Sequence, residues 1–229
     1  MTLVRQAALL LWKDVVVELR AKELVYATVF FAAIVILVFA FAFLGGERPS
    51  VDVSAGVLWV AMALAGTLGI GRAFEREREG DTMRALLLSP MPRAAIYLSK
   101  LVAISLLMLL VEAVSATLLS LLFGVSLTEH LLPLCALLGL GTFGFAAVAA
   151  LFGASLGRAR SRDVLLPLLT YPIVVPILIA GTRGSVALLV GQPEGLATAI
   201  WWLKFLVVFD AIFITLGLWV FDPIMRGDS

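Results

Sequence analysis

Residues Arg72–Arg93 read RAFEREREGDTMRALLLSPMPR, and this stretch decides the architecture. Arg72, Glu75, Arg76, Glu77, Arg78, Glu79, Asp81 and Arg84 crowd between two long apolar runs. Charges at this density cannot lie in hydrocarbon, where each costs several kcal/mol. The segment therefore marks the end of one membrane span and the approach to the next. It reads as a cytoplasmic helical elbow, and its length and charge suggest a docking surface for a soluble partner. A solvated charged loop without a partner is the alternative that composition leaves open.

The elbow has internal punctuation. Arg72–Glu79 reads as a helical extension of the span before it. Gly80 can end that helix in a left-handed conformation. Asp81 or Thr82 can cap a short helix, Met83–Leu88. Ser89-Pro90 fits an N-cap followed by proline at the first helical position, opening the next span. A short helix between two breaks can fit a cleft on another protein, and alternating Glu and Arg can set its register through ion pairs.

Outside the elbow the chain is almost continuous membrane. Of its 229 residues, 62% are hydrophobic, and mean hydropathy is +1.10. Soluble domains sit near half apolar. The expected fold is therefore an all-α bundle forming one membrane permease domain over 1–229. A span needs about 20 apolar residues. Six segments qualify: Leu24–Leu44, Ser54–Gly71, Ile96–Phe123, Leu131–Leu156, Val164–Ala180 and Ile200–Phe221. Arg48, Arg183 and Lys204 fall on one side of these spans, and the other 14 of the 17 basic residues fall on the opposite side. That asymmetry predicts that both termini are cytoplasmic and that the 126–130 loop is outward. The net charge of +1 carries no argument for nucleic acid.

Met1–Glu23 does not read as a signal peptide, because it carries Asp14, Glu18 and Glu23 before the apolar run. Val4, Ala8, Leu11, Val15 and Leu19 recur at helical spacing beside Trp12, while Arg5, Lys13 and Arg20 fall elsewhere. The pattern predicts an amphipathic helix over 1–23 lying on the inner membrane surface. A plain cytoplasmic extension of the first span is the alternative. Gly66, Gly69 and Gly71 mark the second span, and Gly139, Gly141, Gly144, Gly153 and Gly157 mark the fourth. Small residues let helices approach closely in lipid, so both spans are expected inside the bundle or at a subunit interface. Pro167, Pro172 and Pro176 predict a kinked or interrupted fifth span.

The run Glu77–Gly80, then Leu86-Leu87-Leu88-Ser89-Pro90, then Arg93 and Lys100 resembles the permeases of type-2 ABC exporters, and most closely the haem exporter protein B (CcmB) family of cytochrome c maturation. The resemblance covers the whole chain. One departure is Met83-Arg84, where members of that family often carry Leu-Glu. The resemblance implies a permease without ATPase chemistry of its own. It implies an ABC ATP-binding subunit docked on a coupling elbow at 72–95, formed by Glu75, Arg76, Glu77, Arg78, Glu79, Gly80, Arg84, Leu86, Leu87, Leu88, Ser89, Pro90 and Arg93. The implied assembly also holds a tryptophan-rich haem-handling membrane protein and a small single-span subunit, and its permease is paired or homodimeric. In that family ATP hydrolysis is linked to release of a haem-loaded periplasmic chaperone, or to haem export. Haem is then the candidate substrate, and ATP acts through the partner subunit. A type-2 exporter of a drug, lipid or glycan, and a non-transporting scaffold of an assembly complex, remain the alternatives.

Direct chemistry is sparse. The sequence contains no GxxxxGK[ST] pattern to cradle ATP. One histidine, His130, excludes an all-histidine metal cluster, and one cysteine, Cys135, excludes a disulfide within the chain and reads as a small core residue. No catalytic residue and no metal site are expected. Glu112 and Asp210 are the only acids well inside spans. A carboxylate there is a candidate functional group, and a hydrogen-bonded group joining two helices is the plainer reading, with Ser115, Thr117 or Thr215 as polar company. His130 reads as a polar residue at the water boundary, and Trp201-Trp202 as part of an interfacial aromatic belt.

Overall fold

The computed structural model describes residues 3–43, 50–79, 92–156, 162–190 and 193–226. Among these, seven helices and no strands are present: α1 (Leu3–Ala21), α2 (Glu23–Ala42), α3 (Val51–Glu79), α4 (Arg93–Phe123), α5 (Leu131–Ser155), α6 (Arg162–Leu189) and α7 (Gly195–Arg226). Six of them, α2 to α7, contain stretches long and apolar enough to cross a membrane. The protein is an all-α polytopic bundle.

Helix α5 is the hub. It packs on α3, α4, α6 and α7, and seven of its nine residues from Thr142 to Ala150 are alanine, glycine, valine or threonine. Side chains this small bring neighbouring backbones close, which maximises dispersion contact where lipid removes the hydrophobic drive between helices. The α3 and α5 spans are the most buried of the six, as their glycines predict.

Those glycines serve as slots for aromatic rings. The indole of Trp59, fully buried on α3, fills the space that side chains at Gly141 and Gly181 would occupy. Its Nε1–H donates to Ser185 Oγ at 3.0 Å. Three helices are thereby pinned by one side chain. Tyr97 of α4 lies against Gly217 of α7 in the same manner, and its hydroxyl donates to the Ala147 carbonyl at 3.3 Å.

Three features differ from the sequence expectation. Helix α4 opens at Arg93 behind Pro92, which is extended at φ −62, ψ 130, and not at Ser89-Pro90. Proline has no N–H to give to a preceding carbonyl, so the extended Pro92 marks the start of α4. The fifth span is one unbroken helix that continues to Leu189, nine residues past Ala180, with Pro167, Pro172 and Pro176 inside it. Proline is tolerated in membrane helices because neighbouring groups satisfy the freed carbonyls. Arg183 consequently lies within α6. Cys135 is exposed on the bundle surface and is not a core residue. In a membrane protein an apolar position can face lipid as readily as the core.

Candidate functional site

The basic end of the bundle is built from α1, the tail of α3 and the start of α4. Helix α3 runs without a break from Val51 through Gly71 to Glu79. The segment past Gly71 adds about 12 Å of helix at 1.5 Å per residue. Glu75, Arg76, Glu77, Arg78 and Glu79 therefore stand on a rigid continuation of a core helix, as their spacing predicts. Gly80, Arg84, Leu86, Leu87, Leu88, Ser89 and Pro90 lie outside the described residues, as does the short helix expected over Met83–Leu88. Arg93 is the first residue of α4 and is engaged by an interaction of its own.

Helix α1 is latched to this end. Asp14 accepts from Lys100 of α4 at 2.7 Å and from Lys13 at 2.8 Å. The chain then turns into α2 through Lys22 alone, in the left-handed region at φ 57. Glu18 stabilises the turn twice: its carbonyl accepts from Lys22 N–H at 2.7 Å, and its carboxylate accepts from Val25 N–H at 3.3 Å. A carboxylate at a helix N-terminus meets free N–H donors and the positive end of the dipole. Helix α1 buries Leu10 against the bundle and leaves Val4, Ala8 and Trp12 exposed. The apolar stripe read from sequence thus points partly away from the protein.

The two intramembrane acids lie on either side of α5. Glu112 of α4 is buried at 1% exposure, as is Ser115 one turn further on. The Glu112 carboxyl and the Thr142 hydroxyl of α5 approach each other without reaching hydrogen-bond geometry. Asp210 of α7 presses instead against Gly144, whose missing side chain leaves room for Oδ1. Thr142 and Gly144 are two residues apart, hence about 200° around the helix and about 3 Å along it. The carboxylates therefore sit at similar depth and face α5 from different directions. No hydrogen bond satisfies the carboxylate oxygens of Glu112 and Asp210 or the hydroxyls of Ser115 and Thr142. Thr117 and Thr215 are exposed and belong to neither group.

Against this geometry, the comparisons with known proteins are specific. Residues 5–223 match the family described as CcmB protein. The chain belongs to the CcmB family. It is also 34% identical, over 177 residues, to Heme exporter protein B of Pseudomonas aeruginosa, covering 76% of this chain and 78% of that protein. The matched region of the CcmB family takes in every span and both halves of the elbow.

The remaining candidate residues of this chain are placed plainly. His130 is the N-cap residue of α5 and makes no side-chain capping bond. Among the described residues no three of His, Cys, Asp or Glu converge as metal ligands. Trp201 is 59% exposed near the start of α7. Trp202 begins a row of rings running on through Phe205, Phe209 and Phe213, edge-on at first and stacked at its end, with successive ring centroids 4.4–6.5 Å apart. Sequence reading missed Thr142, the seating of Asp210 against Gly144, and the Asp14–Lys100 pair. A lone hydroxyl between Gly141 and Gly144 was the available signal for Thr142. Nothing in the local pattern pairs Asp14 with a residue 86 positions away.

Proposed function

We propose that this chain is the membrane permease of an ABC complex that serves haem delivery in cytochrome c maturation. It works with an ATP-binding subunit docked on the 72–95 elbow. The observation that carries the reading is membership of the CcmB family across residues 5–223, together with a relative named as a haem exporter. Energy must then come from another subunit, since the sequence has no phosphate-cradling motif.

The geometry supplies a route for that energy. A push on the elbow is delivered to α3, because Arg72–Glu79 continues the same helix that holds Trp59. Trp59 meets α5 at Gly141 and α6 at Gly181 and Ser185. A rigid helix transmits displacement along its axis, and the ring slots pass it on to α5 and α6. Helix α4 leaves the elbow at Arg93 and carries α1 with it through Lys100 and Asp14. In this reading both termini are cytoplasmic, α1 rests on the inner membrane surface, and ATP hydrolysis drives release of a haem-loaded chaperone on the far side. The tryptophan-rich membrane protein, the small single-span subunit and a second permease copy complete the assembly. Glu112 and Asp210 take no part in docking.

The test is Leu87→Asp in the assembled complex. A charge forced into an apolar cleft without a partner costs several kcal/mol. We expect loss of ATPase subunit co-purification and of c-type cytochrome maturation, with the permease still inserted in the membrane. Unchanged assembly and activity would show that the elbow is not the docking site.

A further inference from the structure

We propose that Glu112, Ser115 and Thr142 form an exchangeable monovalent-cation site between α4 and α5, occupied by a proton on the carboxyl or by Na+ among the three side chains.

The site is defined by convergence and burial. All three side chains are more than nine-tenths buried. Glu112 and Ser115 are three residues apart, so they share one face of α4. Thr142 approaches the carboxyl from α5. Both carboxylate oxygens and both hydroxyls are without hydrogen-bond partners. The four oxygens are hard donors of the kind that hold alkali cations, and a carboxylate supplies the countercharge. An isolated carboxylate in a membrane interior is too costly to leave uncompensated. A positive charge must accompany Glu112, and its source is the question.

Among the described side chains, no protein cation supplies it. The helices packed on α4 are α1, α2, α3, α5 and α7. The ionisable side chains described on α1, with Glu23 and Tyr26 of α2, sit toward the basic end, while Asp52 of α3 and Cys135 of α5 sit toward the opposite end. Asp210 of α7 is turned to Gly144, and Lys204 is exposed. On α4 itself, Lys100 is bound to Asp14, 12 residues and about 18 Å from Glu112 along the helix. Tyr97 donates its hydroxyl to Ala147. A small exchangeable cation is the remaining way to neutralise the carboxylate. Because its ligands come from two helices, occupancy is linked to how α4 rests on α5.

The experiment uses the full-length chain in lipid nanodiscs. In Na+-free buffer, infrared spectra are recorded across a pH titration. Thermal unfolding is then followed at fixed pH in NaCl and in choline chloride. A titrating carboxyl carbonyl band absent from Glu112→Gln assigns the site to a proton. A rise in melting temperature with NaCl but not choline chloride, lost in Glu112→Gln, assigns it to Na+. Asp210→Asn should leave whichever signal is seen in place. Identical responses of the wild type and Glu112→Gln to both pH and Na+ overturn the proposal. If Glu112→Gln does not fold, Thr142→Val carries the test: a shifted midpoint supports the site, and an unshifted one rejects it. The assay needs neither ATP nor haem, so its failure leaves the permease reading standing.

Discussion

Lys100 on α4 grips Asp14 on α1 at 2.7 Å, and both side chains are mostly buried, at 12% and 16% exposure. This contact fastens the amphipathic first helix to a membrane span. Exposed pairs contribute about 0–1 kcal/mol, whereas removing one partner of a fully buried pair costs about 3–5 kcal/mol. The intermediate exposure places Asp14→Asn at about 1–3 kcal/mol on the same scale. A double-mutant cycle of Asp14→Asn with Lys100→Met, followed by thermal unfolding in detergent, should show coupling between the two changes. Additive effects would mean that the pair does not hold α1 in place.

The aromatic slots predict opposite signs for two conservative changes. A side chain at Gly181 meets the rigid indole of Trp59, and overpacking costs about 1–3 kcal/mol. A side chain at Gly139 meets nothing within 4 Å, and replacing a helical glycine by alanine gains roughly 0.5–1 kcal/mol. Gly181→Ala should therefore lower the melting temperature while Gly139→Ala leaves it equal or raises it. Equal loss in both variants would show that Trp59 is not tightly seated.

The orientation proposed from basic residues predicts that the loop between α4 and α5 faces outward. Ser126 is exposed there, with its hydroxyl 3.2 Å from that of Thr128. A Ser126→Cys variant, with Cys135→Ala, should be labelled by a membrane-impermeant maleimide on intact cells. Labelling that appears only after permeabilisation would invert the topology.

The haem reading is tested in the cell. Deleting the gene should abolish covalently attached haem in c-type cytochromes while b-type cytochromes persist. His130→Ala should retain most of the maturation, because His130 sits at a helix start and joins no cluster of three His, Cys, Asp or Glu side chains among the described residues. Normal c-type cytochromes in the deletion strain would favour an exporter of another substrate. Complete loss with a stably expressed His130→Ala protein would mean that this subunit handles haem itself.

The sequence determined what depends on composition along the chain. Runs of about 20 apolar residues separated by charge admit little except membrane helices. The six spans, the helical tail Arg72–Glu79, the burial of the glycine-rich spans and the family resemblance were all legible from residue order. What the tertiary structure decided are relations between residues far apart. Cys135 faces outward although its neighbours are as apolar as any core. Three prolines sit inside an unbroken α6. Trp59 selects Gly141 and Gly181 as its slots, and Ser185 lies 126 residues from it. Glu112 is close to Thr142, while Asp210, at a similar depth, meets Gly144 instead. The reason is physical. In lipid, hydrophobicity no longer distinguishes inside from outside, since both are apolar. Which face of each helix turns inward is set by shape: a ring that needs a glycine, a carboxyl that needs room, a lysine that needs an aspartate on another helix.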